Sequence, residues 1–197
     1  MKKSLLSISL HAATVCAFAL LSPSAVAQTS ATSTTGAGGT TAAGAKAKPL
    51  SAAEKKFIKD ASESVYYALH LTGMAEKNAS ATPTKEVAKS IKEDGDKIWE
   101  ELGAIAQAKG EKMTTDLSGG DKSSSERLGK NKEDKFDKPF LKELSKEVKR
   151  LATAFQTAAK SAQDPEVKTF AEKWLPTLKK HEEAADKAES EAGKRKA

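Results

Sequence analysis

The sequence predicts an all-α fold, a four-helix bundle made of two helical hairpins with one long connection. Three observations predict it. Apolar residues recur at spacings of three and four through four stretches between Ser51 and Ala188. The stretches pair off across short turns at 79–82 and 161–165. No stretch shows the alternation of apolar and polar residues that marks a half-buried strand.

The chain opens with Met1-Lys2-Lys3, then an apolar run from Leu5 to Leu21, a Ser22-Pro23 break, and Ala25-Val26-Ala27. A positive start, an apolar middle and a small-x-small ending predict a signal peptide over residues 1–27, cleaved after Ala27. The run falls short of the roughly 20 apolar residues that a membrane span needs. An uncleaved N-terminal anchor is the competing reading. Cys16 is the only cysteine and lies mid-run behind Val15, where a lipid-anchor signal would want a small residue. The mature chain would then carry neither disulfide nor thiolate chemistry. Export without disulfides points to a bacterial envelope protein.

Residues 28–48 hold Gln, Ser, Thr, Ala, Gly and two Lys, with no large apolar side chain. Such a stretch cannot bury enough surface to offset its ordering entropy, so a flexible low-complexity linker is expected. The helical domain is expected over 49–190 and a basic tail over 191–197.

The first helix starts at Ser51-Ala52-Ala53-Glu54, a capping box. Phe57, Ala61, Val65, Ala68, Leu71 and Ala75 line one face, and the helix should end near Lys77. Thr82-Pro83 starts the second helix, where the missing proline donor costs least. Val87, Ile91, Ile98, Leu102 and Ile105 continue it to a stop at Lys109-Gly110. Gly95 interrupts the stripe, a cost of about 1 kcal/mol relative to alanine.

Residues 111–135 are polar and read as a long surface connection, with a short helical turn near Glu126 to Leu128. One such crossover joins the two hairpins in ferritin-like bundles. The third helix should begin near Asp137-Lys138-Pro139 and present Phe140, Leu144, Val148, Leu151, Phe155 and Ala158. Asp164-Pro165-Glu166 opens the fourth, placing acids at the positive helix end. Its stripe is Val167, Phe170, Trp174, Leu178, His181 and Ala185. Pro176 removes one backbone bond and should kink it. Helices of about 25 residues would be roughly 38 Å long.

The 197 residues carry a net charge of +6, or +4 once Lys2 and Lys3 leave with the acid-free leader. Both signs are mixed along the helices, as on solvated faces, so no nucleic-acid partner is expected. Weak contact with anionic lipid or lipopolysaccharide fits a basic envelope protein.

Reactive constellations are scarce. Di-iron chemistry in such bundles needs Glu-x-x-His on two helices. Here Tyr67 stands three before His70, and Leu178 three before His181. His181 extends an apolar stripe and is read either as a ligand in the core or as a half-buried histidine bonded to a carboxylate or carbonyl. One histidine falls short of the three or four ligands that a metal takes, which favours the second reading. His70, beside Tyr66, Tyr67 and Met74, could meet it across the bundle. No nucleophile elbow is present, and Gly119-Gly120 lacks the flanking strand and helix of a phosphate loop. The acids read as surface groups, and Trp99 and Trp174 as packing residues. The expectation is no catalytic residue, no cofactor and no metal site, with His181 and His70 as the candidates should a ligand exist.

Three segments carry a resemblance: Phe136-Asp137-Lys138-Pro139-Phe140-Leu141, Asp164-Pro165-Glu166-Val167-Lys168-Thr169-Phe170-Ala171, and Leu175-Pro176-Thr177-Leu178-Lys179-Lys180-His181. Together they resemble the domain-of-unknown-function family 4142 over about Ser51 to Ala188, with closer agreement in the second hairpin. The resemblance implies an exported bacterial protein with a ferritin-like helical domain, in the periplasm or at the outer membrane. It also implies a histidine late in the second helix, where this chain has Gly95, and another eleven residues after the Phe-Asp motif, where it has Val148. Only the third, His181, is kept, so a site built on all three would be lost here. The resulting expectation is a non-enzymatic envelope protein that acts by contacting a protein, lipid or glycan. The alternative is a metal- or small-ligand-binding bundle using His181 and possibly His70.

Overall fold

The computed structural model describes residues 49–194. The expected leader at 1–27, the linker at 28–48 and the end of the tail at 195–197 lie outside the described residues. Five helices and no strand occur among the described residues: α1 (Ala52–Asn78), α2 (Thr82–Ala108), α3 (Gly119–Gly129), α4 (Asp134–Ser161) and α5 (Pro165–Lys194). The fold is all-α, with α1–α2 and α4–α5 as the two hairpins.

The local signals at the helix starts take physical form. Ser51 Oγ accepts the Glu54 amide, and Glu54 Oε2 accepts the Ser51 amide at 2.8 Å, closing the capping box. Pro83 sits in the first turn of α2. Asp164 Oδ1 accepts the amides of Glu166 and Val167 at 3.0 and 3.2 Å, satisfying two donors that the α5 start leaves open.

The apolar stripes meet in two clusters. One gathers Phe57, Ile98, Leu102, Phe155, Phe170 and Trp174 towards the α1 and α5 starts, where Phe57 and Phe155 pack edge-on at 5.2 Å. The other gathers Tyr67, Leu71, Ile91, Phe136, Phe140 and Leu144 towards the far end.

Three expectations need correction. The 111–135 connection holds an eleven-residue helix, not a single turn. Ser118 Oγ accepts the Asp121 amide at 3.2 Å and bonds its carboxylate at 2.8 Å, which starts α3, and Leu128 anchors it to the second cluster. The third long helix begins at Asp134, ahead of the Asp137-Lys138-Pro139 start, because Glu133 at φ 50° breaks the chain there and accepts the Phe136 amide at 2.8 Å. Finally, α5 runs through Ser190 to Lys194, into what reads as tail, since Ala188 is still buried against the core.

Asp137 therefore does not cap its own helix. Its carboxylate crosses to the α1–α2 turn and accepts the Ser80 and Ala81 amides at 3.3 and 2.9 Å and the Ser80 hydroxyl at 2.8 Å. Glu54 does the reciprocal. Its Oε1 accepts the amides of Gln163 and Asp164, both at 2.7 Å, and so fastens the α4–α5 turn. Each hairpin's turn is held by a carboxylate from the other hairpin.

Candidate functional site

His181 lies where the two apolar clusters meet. The α5 periodicity turns it inward between Leu178 and Ala185, and it is 7% exposed. Its Nε2 is 3.1 Å from Asp94 Oδ2 on α2, and Asp94 Oδ1 accepts Lys97 Nζ at 2.9 Å. Burial pushes the His181 pKa down from its usual 6.5, against the upward pull of Asp94. Burial raises the Asp94 carboxyl, but bonds from Lys97 and His181 outweigh it and hold the group below its ordinary value. An ionised carboxylate can only accept, so the Nε2 that faces Asp94 is a ring nitrogen that carries a proton.

Beside it is an enclosed space of about 10 Å³, lined by Val65 and Ala68 of α1, Ile91, Gly95 and Ile98 of α2, Val148 and Leu151 of α4, and Leu178 and His181 of α5. That is room for about one water molecule. His70 is exposed on α1 and does not line this space. Among the described residues no three or more His, Cys, Asp or Glu side chains converge as a metal would require.

A second polar layer lies between α1 and α4, and sequence reasoning missed it by reading the acids as surface groups. Glu147 is 3% exposed, and its Oε1 accepts Arg150 Nε and Nη2 at 3.1 and 2.9 Å. Burial pushes its carboxyl above the usual range despite Arg150. Tyr67, fully buried, donates to Glu143 Oε1 at 3.3 Å, and burial followed by the Glu143 charge raises its phenol. Glu147 and Arg150 stand at i,i+3, the spacing of a helical ion pair. That was the available signal, but spacing does not say which face is covered.

The end of the bundle formed by the α1 and α5 starts is hollowed from outside. A hollow of about 440 Å³ is lined by Pro49, Ser51, Glu54, Lys109, Gln163, Asp164 and Pro165. Shallower apolar hollows of about 300 and 460 Å³ follow the α1–α4 and α2–α5 seams. Lys109 Nζ bridges Asp164 Oδ2 at 2.7 Å and Glu166 Oε2 at 2.6 Å. Burial raises the Glu54 carboxyl, but hydrogen bonds from the Ser51 hydroxyl and the Asp164, Ser51 and Gln163 amides together bring it down to about 2.

A sequence profile described as "Domain of unknown function (DUF4142)" matches residues 39–188. The chain belongs to the DUF4142 family. Among solved structures it is similar to the crystal structure of a DUF305 fragment from Deinococcus radiodurans. The TM-score is 0.65 at 13% identity, covering 73% of this chain and 99% of that one, a likeness of fold alone. No curated protein matches the chain. In this DUF4142 chain the three positions at which the resemblance implies histidine, Gly95, Val148 and His181, all line the one small enclosed space. The family resemblance named the three positions; their convergence on one space among packed helices is what the fold adds.

Proposed function

We propose that this DUF4142 chain is an exported, non-enzymatic helical bundle protein of the bacterial cell envelope. It resides in the periplasm or at the outer membrane and works by surface contact with a protein, lipid or glycan. One contrast supports this reading: the space beside His181 is about 10 Å³, whereas hollows of about 300 to 460 Å³ open on the surface at one end. A substrate-processing site needs a pocket of about 300 Å³ or more with convergent polar groups. The surface hollows have the size, but Lys109 is bonded to Asp164 and Glu166, and Glu54 to backbone amides. No helix among the described residues is long and apolar enough to cross a membrane.

Two experiments test the reading. Cell fractionation with N-terminal sequencing should recover the chain in the envelope fraction, starting at Gln28. Recovery from the cytoplasm with Met1 intact would sink the export claim. Cross-linking in whole envelopes should retain a defined protein, lipid or glycan. Retention of none, together with tight stoichiometric binding of zinc, copper or iron by chelator-free protein, would replace this reading with the ligand-binding one centred on His181 and His70.

A further inference from the structure

Three polar clasps stitch α2 to α5. Asp94 meets His181 at 3.1 Å. Glu101 accepts Lys173 Nζ at 2.6 Å and Trp174 Nε1 at 2.9 Å. Lys109 bridges Asp164 and Glu166. The residues stand seven or eight apart on α2 (94, 101, 109) and at matching intervals, in reverse, along α5. The spacing returns each clasp to the same side of both antiparallel helices after two turns.

The clasps differ in kind. Those at Glu101 and Lys109 join carboxylates to lysine ammonium groups, with the Trp174 indole added at Glu101. The third depends on an imidazole, and it is the one beside the enclosed space where the two apolar clusters meet. We propose that the α2–α5 seam is an acid-sensitive latch, in which protonation of His181 loosens the seam around Asp94, Gly95 and His181 while the Glu101 and Lys109 clasps hold.

The surroundings explain why a proton acts there. The walls around the ring from α1 and α4 are Val65, Ala68, Val148 and Leu151, none of which can solvate an imidazolium. From α2 the charged group that faces the ring is Asp94, whose side chain is 25% exposed and shared with Lys97. From α4, Lys149 is engaged by Glu182 at 3.6 Å, and Ser145 bonds Asp186. The imidazolium is therefore drawn outward along Asp94, away from its packing on α1 and α4. Because burial holds the closed-state pKa below 6.5, the opened chain takes the proton first. The closed seam is fully favoured above that value and weakens as pH falls below it, levelling off once the closed-state value is passed.

The test uses the full chain. Hydrogen exchange, corrected for its intrinsic pH dependence, is compared at about pH 7.5 and about pH 5, values on either side of ordinary imidazole titration. NMR follows the His181 resonance, identified by its absence in His181→Gln. Exchange in 91–98 and 178–185 should rise on acidification by about tenfold for each unit by which the closed-state pKa is depressed. The segments around Glu101 and Lys109 should change little. In Asp94→Asn, His181 should titrate still lower, because the carboxylate that pulled it up is gone. A His181 titration at or above 6.5 in the wild-type chain overturns the latch, as does exchange around the pair that does not respond to pH.

Discussion

Glu54 and Asp137 sit at opposite ends of the bundle, and each fastens the turn of the hairpin to which it does not belong. They do so on different terms. Glu54 divides its two oxygens: Oε2 closes a capping box with Ser51, and Oε1 takes two amides from the α4–α5 turn. Asp137 spends both oxygens across the gap, on Ser80 and Ala81. One carboxylate serves its own helix and a distant turn together; the other gives up capping its own helix altogether. The difference teaches that a strong local signal can conceal a long-range role, and that a plausible local signal can be spent elsewhere.

The largest expected effect comes from Glu54→Ala. It breaks the capping box and at the same time removes the charged acceptor of the Ser51, Gln163 and Asp164 amides, and the expected loss is about 3 kcal/mol in denaturant unfolding. Asp137→Ala removes the acceptor of two amides and one hydroxyl and breaks no capping box, and about 2 kcal/mol is expected. Amide exchange at Ser80 and Ala81 should rise in that variant while Gln163 stays protected. Equal losses, or faster exchange at both turns in either variant, would break the distinction between the two fastenings.

Acid titration sharpens the same comparison. The Glu54 carboxyl, held at about 2, contributes stability that is present above its ordinary value of 4.5 and is lost as pH falls through 2. Wild-type stability should therefore decline between those values more steeply than that of Glu54→Gln, measured by urea unfolding across the range. Parallel curves would remove Glu54 as the acid-sensitive fastening.

The smallest effect is expected midway between the two ends. A methyl group at Gly95 would sit 3.0 Å from Leu69 Cδ2, the free end of a partly buried side chain. Gly95→Ala gains about 1 kcal/mol of helix propensity and gives back a similar amount in moving Leu69, so thermal stability should stay within about 0.5 kcal/mol of wild type. A loss beyond about 1.5 kcal/mol would mean that Leu69 cannot yield.

What could be read from the sequence follows the range of the interaction. Ser51 with Glu54, Thr82-Pro83 and Asp164-Pro165 act within a few residues, and all three mark helix starts where the spacing placed them. The stripes from Phe57 to Ala75 and from Val167 to Ala185 are a simple period and face the core as expected. The α3 start was within reach, since Ser118 and Asp121 have the three-residue spacing of a cap, but a polar helix with two buried residues gives no stripe to confirm it. The buried acids were out of reach. Asp137 and Glu147 look like any surface carboxylate until they are packed, and the capping box gives Glu54 a local role without showing its distant one. At the candidate site, His181 stood out because it continued an apolar stripe. Its partner Asp94 did not, lying 87 residues away in a helix where charged neighbours are common.

The crossed fastenings also bear on assembly. Neither hairpin carries what it needs to finish its own bend, so an isolated half would leave amides at 80–81 or 163–164 open. Two molecules exchanging halves would rebuild every one of these bonds, because a carboxylate cannot tell its own chain from a copy. The choice between a closed single chain and an exchanged pair would therefore fall to the segment 109–133, which contains α3, and to concentration.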